Sequence, residues 1–301
     1  MLEVKHLVKT FGSFLAVDDV SFTIEPGSIL GIIGQNGSGK TTIFRMILDF
    51  LTPENKGEVL WNHKPLTDSV YDVVGYLPEE RGLYEKMTIE QQIMYFAQLR
   101  GMKKSEIATK IDEWLIRFNV KGKRTDKIKS LSKGNQQKVQ LIATLIHEPK
   151  LVILDEPFSG LDPVNADFLK KGILALRDKG SCIIFSSHNM NNVEEICDKL
   201  VMIHNGKQVL YGTLDEVRGQ FGKTKLLIET TEWTQERLSF LPGVVAVQAY
   251  PGHQFMLQLE DESFGKGIFD EVAKGEYLPV FYQQAPSLEE IFKMKAGESN
   301  E

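Results

Sequence analysis

The chain has 301 residues, of which 42% are hydrophobic and 25% charged, and its formal net charge is −6. That length supports one large domain, or one medium and one small, each with its own core. The acidic balance excludes broad attraction to nucleic acid but leaves room for a local phosphate site built from backbone amides.

Residues 1 to about 27 alternate apolar and polar positions, as in LEVKHLV and VSFTIEPG, and predict exposed antiparallel strands closed by a Pro-Gly turn. Charges begin at Glu3 and Lys5, so no secretory leader is expected. Three later runs are apolar throughout: SILGIIG (28–34), LVILDE (151–156) and SCIIFSSH (181–188). Such runs suit parallel strands buried on both faces. Helical patterns follow each in turn: KTTIFRMILDF, VNADFLKKGILALRDKG and MNNVEEICDKL. Strands alternating with helices predict an α/β sheet. Cys182 falls in the last apolar run as a small buried residue, and with Cys197 it matches no metal or disulfide spacing, which suits a reducing cytoplasm.

A polar helical insert, roughly residues 80 to 140, separates the first two of these strands. Its segment SEIATKIDEWLIRFNV places Ile107, Ile111, Trp114, Leu115 and Phe118 on one helical face, and Thr88 with Gln91 forms a capping box. After about residue 222 the pattern changes. TKLLIET, VVAVQAY, QFMLQLE and YLPVFYQQ read as strands, with TQERLSFL and SFGKGIFDEVAKGE between them as helices. That order, β-α-β-β-α-β, is the split βαβ arrangement. SLEEIFKMK closes the chain behind a second capping box, Ser287 with Glu290. No apolar run approaches the ~18 residues of a membrane span, so a membrane process would need a second chain.

GQNGSGKTT (34–42) fits G-x-x-x-x-G-K-[ST] between a buried strand and a helix. Gly34, Gly37 and Gly39 let the loop curl so that its amides point at phosphate oxygens, and the helix N-terminus adds partial positive charge. Asn36, Ser38 and Thr42 belong to the same candidate site. Lys40 is expected to reach the β and γ phosphates, and Thr41 to offer its hydroxyl to magnesium. Chance glycine turns are the competing reading, which the strand-before, helix-after context opposes. Asp155, at the end of LVILDE, can hold magnesium through water. Glu156 follows it and points the other way if the strand continues, as suits a base polarising the attacking water. A solvated pair of carboxylates at a strand end is the bland alternative.

LSKGNQQK (131–138) resembles the signature sequence of ABC-type ATPases. Around it, in that family's order, stand the phosphate loop, LVILDEP, SGLD (159–162) and His188 in FSSHN. The resemblance covers roughly residues 1 to 220. It implies a P-loop NTPase of the ABC ATPase type, residues 1–222, with an antiparallel β subdomain and a helical subdomain. Residues 223–301 then form a small α+β accessory domain, similar to a split βαβ fold. It also implies that two such domains pair head to tail around two ATP molecules. Each ATP then touches one chain's phosphate loop and the other's signature. Ser132 would cap the helix running to about Ile146, and its free amides, with Lys133, Gly134 and Asn135, would meet a γ-phosphate arriving from the partner. An ordinary capped helix is the reading that the residues alone equally permit. Lys133 and Asn135 stand where the family commonly has Gly and Gln; the lysine adds charge attraction and the asparagine keeps an amide.

The same resemblance implies that His188 is the switch histidine that bonds the γ-phosphate and orients water with Glu156. Taken alone, a histidine at a strand end reads as satisfied structure. Asp162 is implied as the loop aspartate that touches the opposite subunit, and Phe11 as the aromatic that stacks on adenine with little base selectivity. A core phenylalanine is the alternative for Phe11. Glu79 follows GYLP where most relatives carry a glutamine that reaches magnesium and senses the transport partner. A carboxylate there is compatible with a hard cation lying between it and the phosphates. Glu80 and Arg81 are expected to face solvent or the partner chain. YLPEERGLY and the terminal PSLEEIF are similar to a bacterial subgroup, the ATPase subunits of sodium- or drug-exporting ABC systems of the sodium-extrusion type.

The expected function is therefore an ATP-binding, ATP-hydrolysing subunit with ATP and Mg²⁺ as its ligands. It would drive export of an ion, drug or peptide through a separate membrane subunit. It would pair with a second ATPase subunit, as a homodimer or alternatively a heterodimer, peripheral on the cytoplasmic face of the membrane, with no nucleic-acid partner. One alternative is a soluble ABC ATPase acting on ribosomes or DNA. Such relatives usually carry two ATPase domains in one chain, a long coiled coil or zinc cysteines, and this sequence has none of them. Another is an ATP sensor that does not hydrolyse, for which Glu79, Lys133 and Asn135 leave room and against which Glu156 and His188 stand. The cargo is not legible, because cargo contacts belong to the membrane chain.

Overall fold

The computed structural model describes residues 1–54, 56–66, 71, 73–80, 82–274 and 277–298; Arg81 lies outside them. Two compact units divide the chain, Met1–Tyr211 and Gly212–Glu301, whereas the motifs and the change of pattern put the boundary near residue 222.

In the first unit, β1 (Leu2–Phe11) and β2 (Phe14–Ile24) form an antiparallel hairpin whose register runs from Leu2 opposite Ile24 to Phe11 opposite Phe14. The alternation works as period-2 patterning should. Leu2, Val4, Leu7, Val20, Phe22 and Ile24 are buried on one face, so these strands are half-buried rather than exposed. Next in the chain, β3 (Ile29–Ile33) is buried at every residue and leads into α1 (Lys40–Ile47). The short strands β4 (Glu58–Trp61), β5 (Lys64–Pro65) and β6 (Val74–Leu77) follow. The expected buried runs become β7 (Leu151–Leu154) and β8 (Cys182–Ser187), followed by β9 (Lys199–His204) and β10 (Lys207–Thr213), within which the unit ends at Tyr211. Among the described residues, these strands form one sheet in the order β5-β4-β1-β2-β10-β9-β3-β8-β7-β6. β3 lies between β8 and β9, parallel to both, and β7 pairs in parallel with β8 and β6. Pairing on both edges gives β3's backbone donors and acceptors partners, which lets so apolar a strand lie in the interior.

The insert is helical, with α2 (Ile89–Leu99), α3 (Lys104–Arg117) and α4 (Lys133–Leu145). Thr88 closes its capping box: its hydroxyl accepts from Gln91 N and its own N–H donates to Gln91 Oε1. The apolar face of α3 is buried as its spacing dictates, and Trp114 stacks on Phe118 with ring centroids 5.8 Å apart. Phe118 fills a space beside α5 (Pro163–Asp178) that only glycine leaves open, since a Cβ on Gly172 would lie 2.4 Å from the ring. The following helix α6 (Met190–Ile196) is shorter than its pattern predicts. Asp198 explains the early stop: its carboxylate accepts from Ile29 N at 2.8 Å and its own N–H donates to Ile29 O, so this stretch already tracks β3.

The second unit opens with α7 (Leu214–Gly219), which the sequence pattern did not single out. Then follow β11 (Lys225–Glu229), α8 (Gln235–Ser239), β12 (Val244–Tyr250), β13 (Gln254–Leu259), α9 (Phe264–Val272), β14 (Val280–Gln284) and α10 (Leu288–Glu298). The sheet order β12-β13-β11-β14, antiparallel throughout, is that of a split βαβ fold. Leu226, Ile228, Leu257 and Leu259 from the sheet pack with Leu238, Ile268 and Val272 from the helices. Ser287 and Glu290 close the second capping box in both directions. Among the described residues, no helix of either unit is long and apolar enough to cross a membrane.

Candidate nucleotide site

The loop between β3 and α1 is shaped by glycine where nothing else fits. Gly37 and Gly39 hold φ values of 81° and 108°, and a Cβ on Gly39 would sit 2.5 Å from the carbonyl oxygen of Ala16. Ser38 is buried and anchored through its backbone: its N–H donates to Gln35 O at 3.1 Å, and its carbonyl accepts from Gly206 N at 3.1 Å. Lys40, only 6% exposed, turns its ammonium back onto the loop, donating to Gly34 O at 2.8 Å and Gln35 O at 3.1 Å.

The two acids follow β7, and their partners Ser186 and His188 come from the end of β8. Asp155 accepts from Thr41 Oγ1 at 2.8 Å through one oxygen and from Ser186 Oγ at 2.7 Å through the other. Ser186 Oγ in turn accepts from Glu156 N at 2.8 Å. Glu156 corrects one expectation. The strand ends at Leu154, and Glu156 adopts a left-handed backbone with φ 48°, so the alternation that would have turned its side chain away from Asp155 no longer applies. Instead Glu156 Oε2 meets His188 Nδ1 at 2.9 Å, and Oε1 lies 3.6 Å from Lys40 Nζ. Oε1 is buried with no hydrogen-bond partner among the described residues. The His188 side chain is 57% exposed, so its ring is satisfied on one nitrogen and open to solvent.

These groups border a cleft of about 400 Å³. It is lined by Phe11, Phe14, Ala16, Asn36, Gly37, Gly39, Lys40, Thr41, Thr42, Glu79, Asp155 and Glu156. Phe11 is 47% exposed, which removes the core-phenylalanine reading. Glu79 and Glu80 are exposed in the loop that follows β6. Two hard oxygen donors, Thr41 Oγ1 and Asp155 Oδ2, converge here, while among the described residues no group of three His, Cys, Asp or Glu side chains could hold a metal. A divalent cation at this point would draw its remaining ligands from phosphate and water.

The signature residues lie elsewhere. Ser132 caps α4, its hydroxyl accepting from Asn135 N at 3.4 Å and Asn135 Nδ2 at 3.1 Å, while Asn135 Oδ1 accepts from Lys121 N at 2.9 Å. Lys133 is exposed. Ser132, Lys133, Gly134 and Asn135 contribute nothing to the lining of the cleft. Beside them, Asp162 caps α5 by accepting from Asn165 N at 3.0 Å, and that donor is the main reason its carboxyl is held below the usual range. A Cβ on Gly134 would meet Asn165 Nδ2 at 3.4 Å, so the two helix caps adjoin. Gln137 ties α4 to the acidic pair by donating to Pro157 O at 2.6 Å.

Sequence reasoning missed Gln137, Ser186 and Phe14. The first two carry no motif signal, because their partners are fixed only by the fold. Phe14 was legible as the residue facing Phe11 across a two-residue turn.

Residues 17–159 match the family described as ABC transporter, and residues 212–296 match the family described as ATP-binding protein DrrA1-3-like, C-terminal domain. The chain is 40% identical to the uncharacterized ABC transporter ATP-binding protein YhaQ of Bacillus subtilis (strain 168), over 99% of each chain. It is 47% identical to an uncharacterized ABC transporter ATP-binding protein of Alkalihalophilus pseudofirmus, over 88% of this chain and 98% of the relative. A solved ATP binding subunit of an ABC transporter superposes with a TM-score of 0.68 at 32% identity, covering 73% of this chain and 93% of that one.

Proposed function

The chain belongs to the family of ABC transporter ATP-binding proteins, and from that premise we propose that it is the peripheral motor of an exporter for a small solute. As a member of that family it binds ATP and hydrolyses it to ADP and phosphate to drive transport. The direction of transport, the class of solute, the magnesium, the homodimer and the position on the cytoplasmic face of the membrane are the proposed parts. The export reading rests on the resemblance of YLPEERGLY and PSLEEIF to sodium- and drug-exporting systems.

The observation that carries the mechanism is the convergence of Lys40, Thr41, Asp155, Glu156 and His188 around one loop. Lys40 holds the β and γ phosphates once its ammonium turns from the loop carbonyls to the triphosphate. Phe11 stacks on the base. Thr41 and Asp155 present the oxygens that fit Mg²⁺, which would neutralise charge developing on the phosphates. Glu79, which also lines the cleft, would add a carboxylate oxygen toward the same cation. Glu156 takes a proton from the attacking water at Oε1, the oxygen without a hydrogen bond, while His188 holds Oε2 in place. The new oxygen–phosphorus bond forms at the γ-phosphorus as the bond to the bridging oxygen breaks, and ADP leaves. Ser132, Lys133, Gly134 and Asn135 serve the ATP of a second copy, with Asp162 at the same junction. The cap geometry supports that reading, since these residues do not line the cleft that holds their own chain's phosphate loop.

The test is recovery of the tagged chain from detergent-solubilised membranes of its own host. The expected result is a multispanning membrane protein in stoichiometric amount and magnesium-dependent ATP hydrolysis by the complex. Recovery on ribosomes or DNA without a membrane protein would overturn the transport reading.

A further inference from the structure

The tip of the β1–β2 hairpin exposes a pair of large apolar rings. Phe11 and Phe14 face each other across Gly12 and Ser13, are 47% and 62% exposed, and both line the cleft that holds the phosphate loop. Directly opposed residues of an antiparallel pair point to the same face of the sheet, with Cβ atoms roughly 5 Å apart. That spacing is too small for a base to slide between the two rings, which needs contact distances of roughly 3.5 Å on each side. It suits two rings lying side by side.

We propose that Phe11 and Phe14 form one two-ring platform for the nucleobase, and that Phe14 makes the site favour purine over pyrimidine triphosphates. The inference rests on the nucleotide reading above. A purine is a fused bicycle longer than one phenyl ring, so Phe11 alone covers only part of it. A pyrimidine is covered by one ring and gains little from the second. Aromatic stacking rewards overlap and does not depend on the hydrogen-bonding edge, because every base has a π-face. The hydrogen-bonding side chains of the cleft, Asn36, Lys40, Thr41, Thr42 and the three acids, come from the phosphate loop, α1 and the segments after β6 and β7, whereas the hairpin contributes only the apolar Phe11, Phe14 and Ala16. Adenine and guanine are therefore held alike, and selectivity follows ring count.

The test uses the full chain and five ligands with magnesium: ATP, GTP, CTP, UTP and inorganic tripolyphosphate. Phe14→Ala should weaken ATP and GTP about tenfold, equivalent to ~1.4 kcal/mol. CTP and UTP should change far less, and tripolyphosphate should bind as in the parent. Phe14→Tyr should restore purine binding. Because Phe14 is exposed, tripolyphosphate affinity also reports that the loop remains folded. Equal losses for all five ligands would mean a structural role and overturn the platform. Unchanged purine affinity would overturn it as well. In that second case Lys40→Ala separates the two ideas. If it still weakens ATP, only the platform falls; if it does not, the nucleotide reading falls with it.

Discussion

The phosphate loop and the signature stretch, residues 132–135, both stand at helix N-termini, yet the protein treats them differently. At the loop every charge is answered within the chain. Lys40, Asp155 and Glu156 are all buried below 10% exposure, and each meets a partner, at distances from 2.7 to 3.6 Å. At the signature, Ser132 and Lys133 are exposed, and the first turn of α4 contains no acidic residue. The positive end of that helix dipole is left for an anion from outside. On the proposed pairing, one half of the chemistry is self-sufficient and the other half is completed by a second copy. The contrast would then account for a single chain that binds ATP yet needs a partner to turn it over.

The largest effect that could break this contrast is on hydrolysis. Glu156→Gln keeps the shape beside Lys40 and His188 but removes the base. Phosphate release should fall by about a hundredfold or more, while calorimetry should find ATP bound at least as well, because a buried negative charge has gone. A loss of only a few-fold would place the base elsewhere. Next in size is Lys40→Ala, which removes the cation from the self-sufficient half. Affinity for magnesium-ATP should drop tenfold or more, about 1.4 kcal/mol, and unchanged affinity would dissolve the loop's side of the comparison. Smallest is Ser132→Ala, which removes the cap from the open half. Thermal unfolding should register about 1 kcal/mol of lost stability. ATP affinity measured on the single chain should not move, yet turnover in concentrated solution should decline. A fall in single-chain affinity would show that the signature serves its own cleft.

Which parts could be read beforehand follows from how far apart the determinants lie. The phosphate loop is contiguous, and its glycines, lysine and following helix specify one another within GQNGSGKTT. The capping boxes at Thr88 and Ser287 are legible for the same reason, with partners three residues away. The antiparallel four-strand sheet follows from a periodic pattern of buried positions such as Leu226, Ile228, Leu257 and Leu259. Glu156 shows the opposite case. Its backbone turn is held by Ser186, thirty residues later, so no local pattern could announce that it would double back toward Lys40. The short strand β6 escaped because VGYL spans four residues, too few for a period to emerge, and it is a strand only because β7 lies alongside. The early end of α6 likewise depends on Asp198 finding Ile29 across the sheet.

The hydrogen bonds inside the loop also bear on speed. Lys40 braces the carbonyls of Gly34 and Gln35, and Gly206 clamps Ser38 from outside. The loss of freedom that shapes the loop is therefore met when the protein folds, and nucleotide arrives at a preorganised cradle. Capture is then limited by diffusion and orientation rather than by loop ordering.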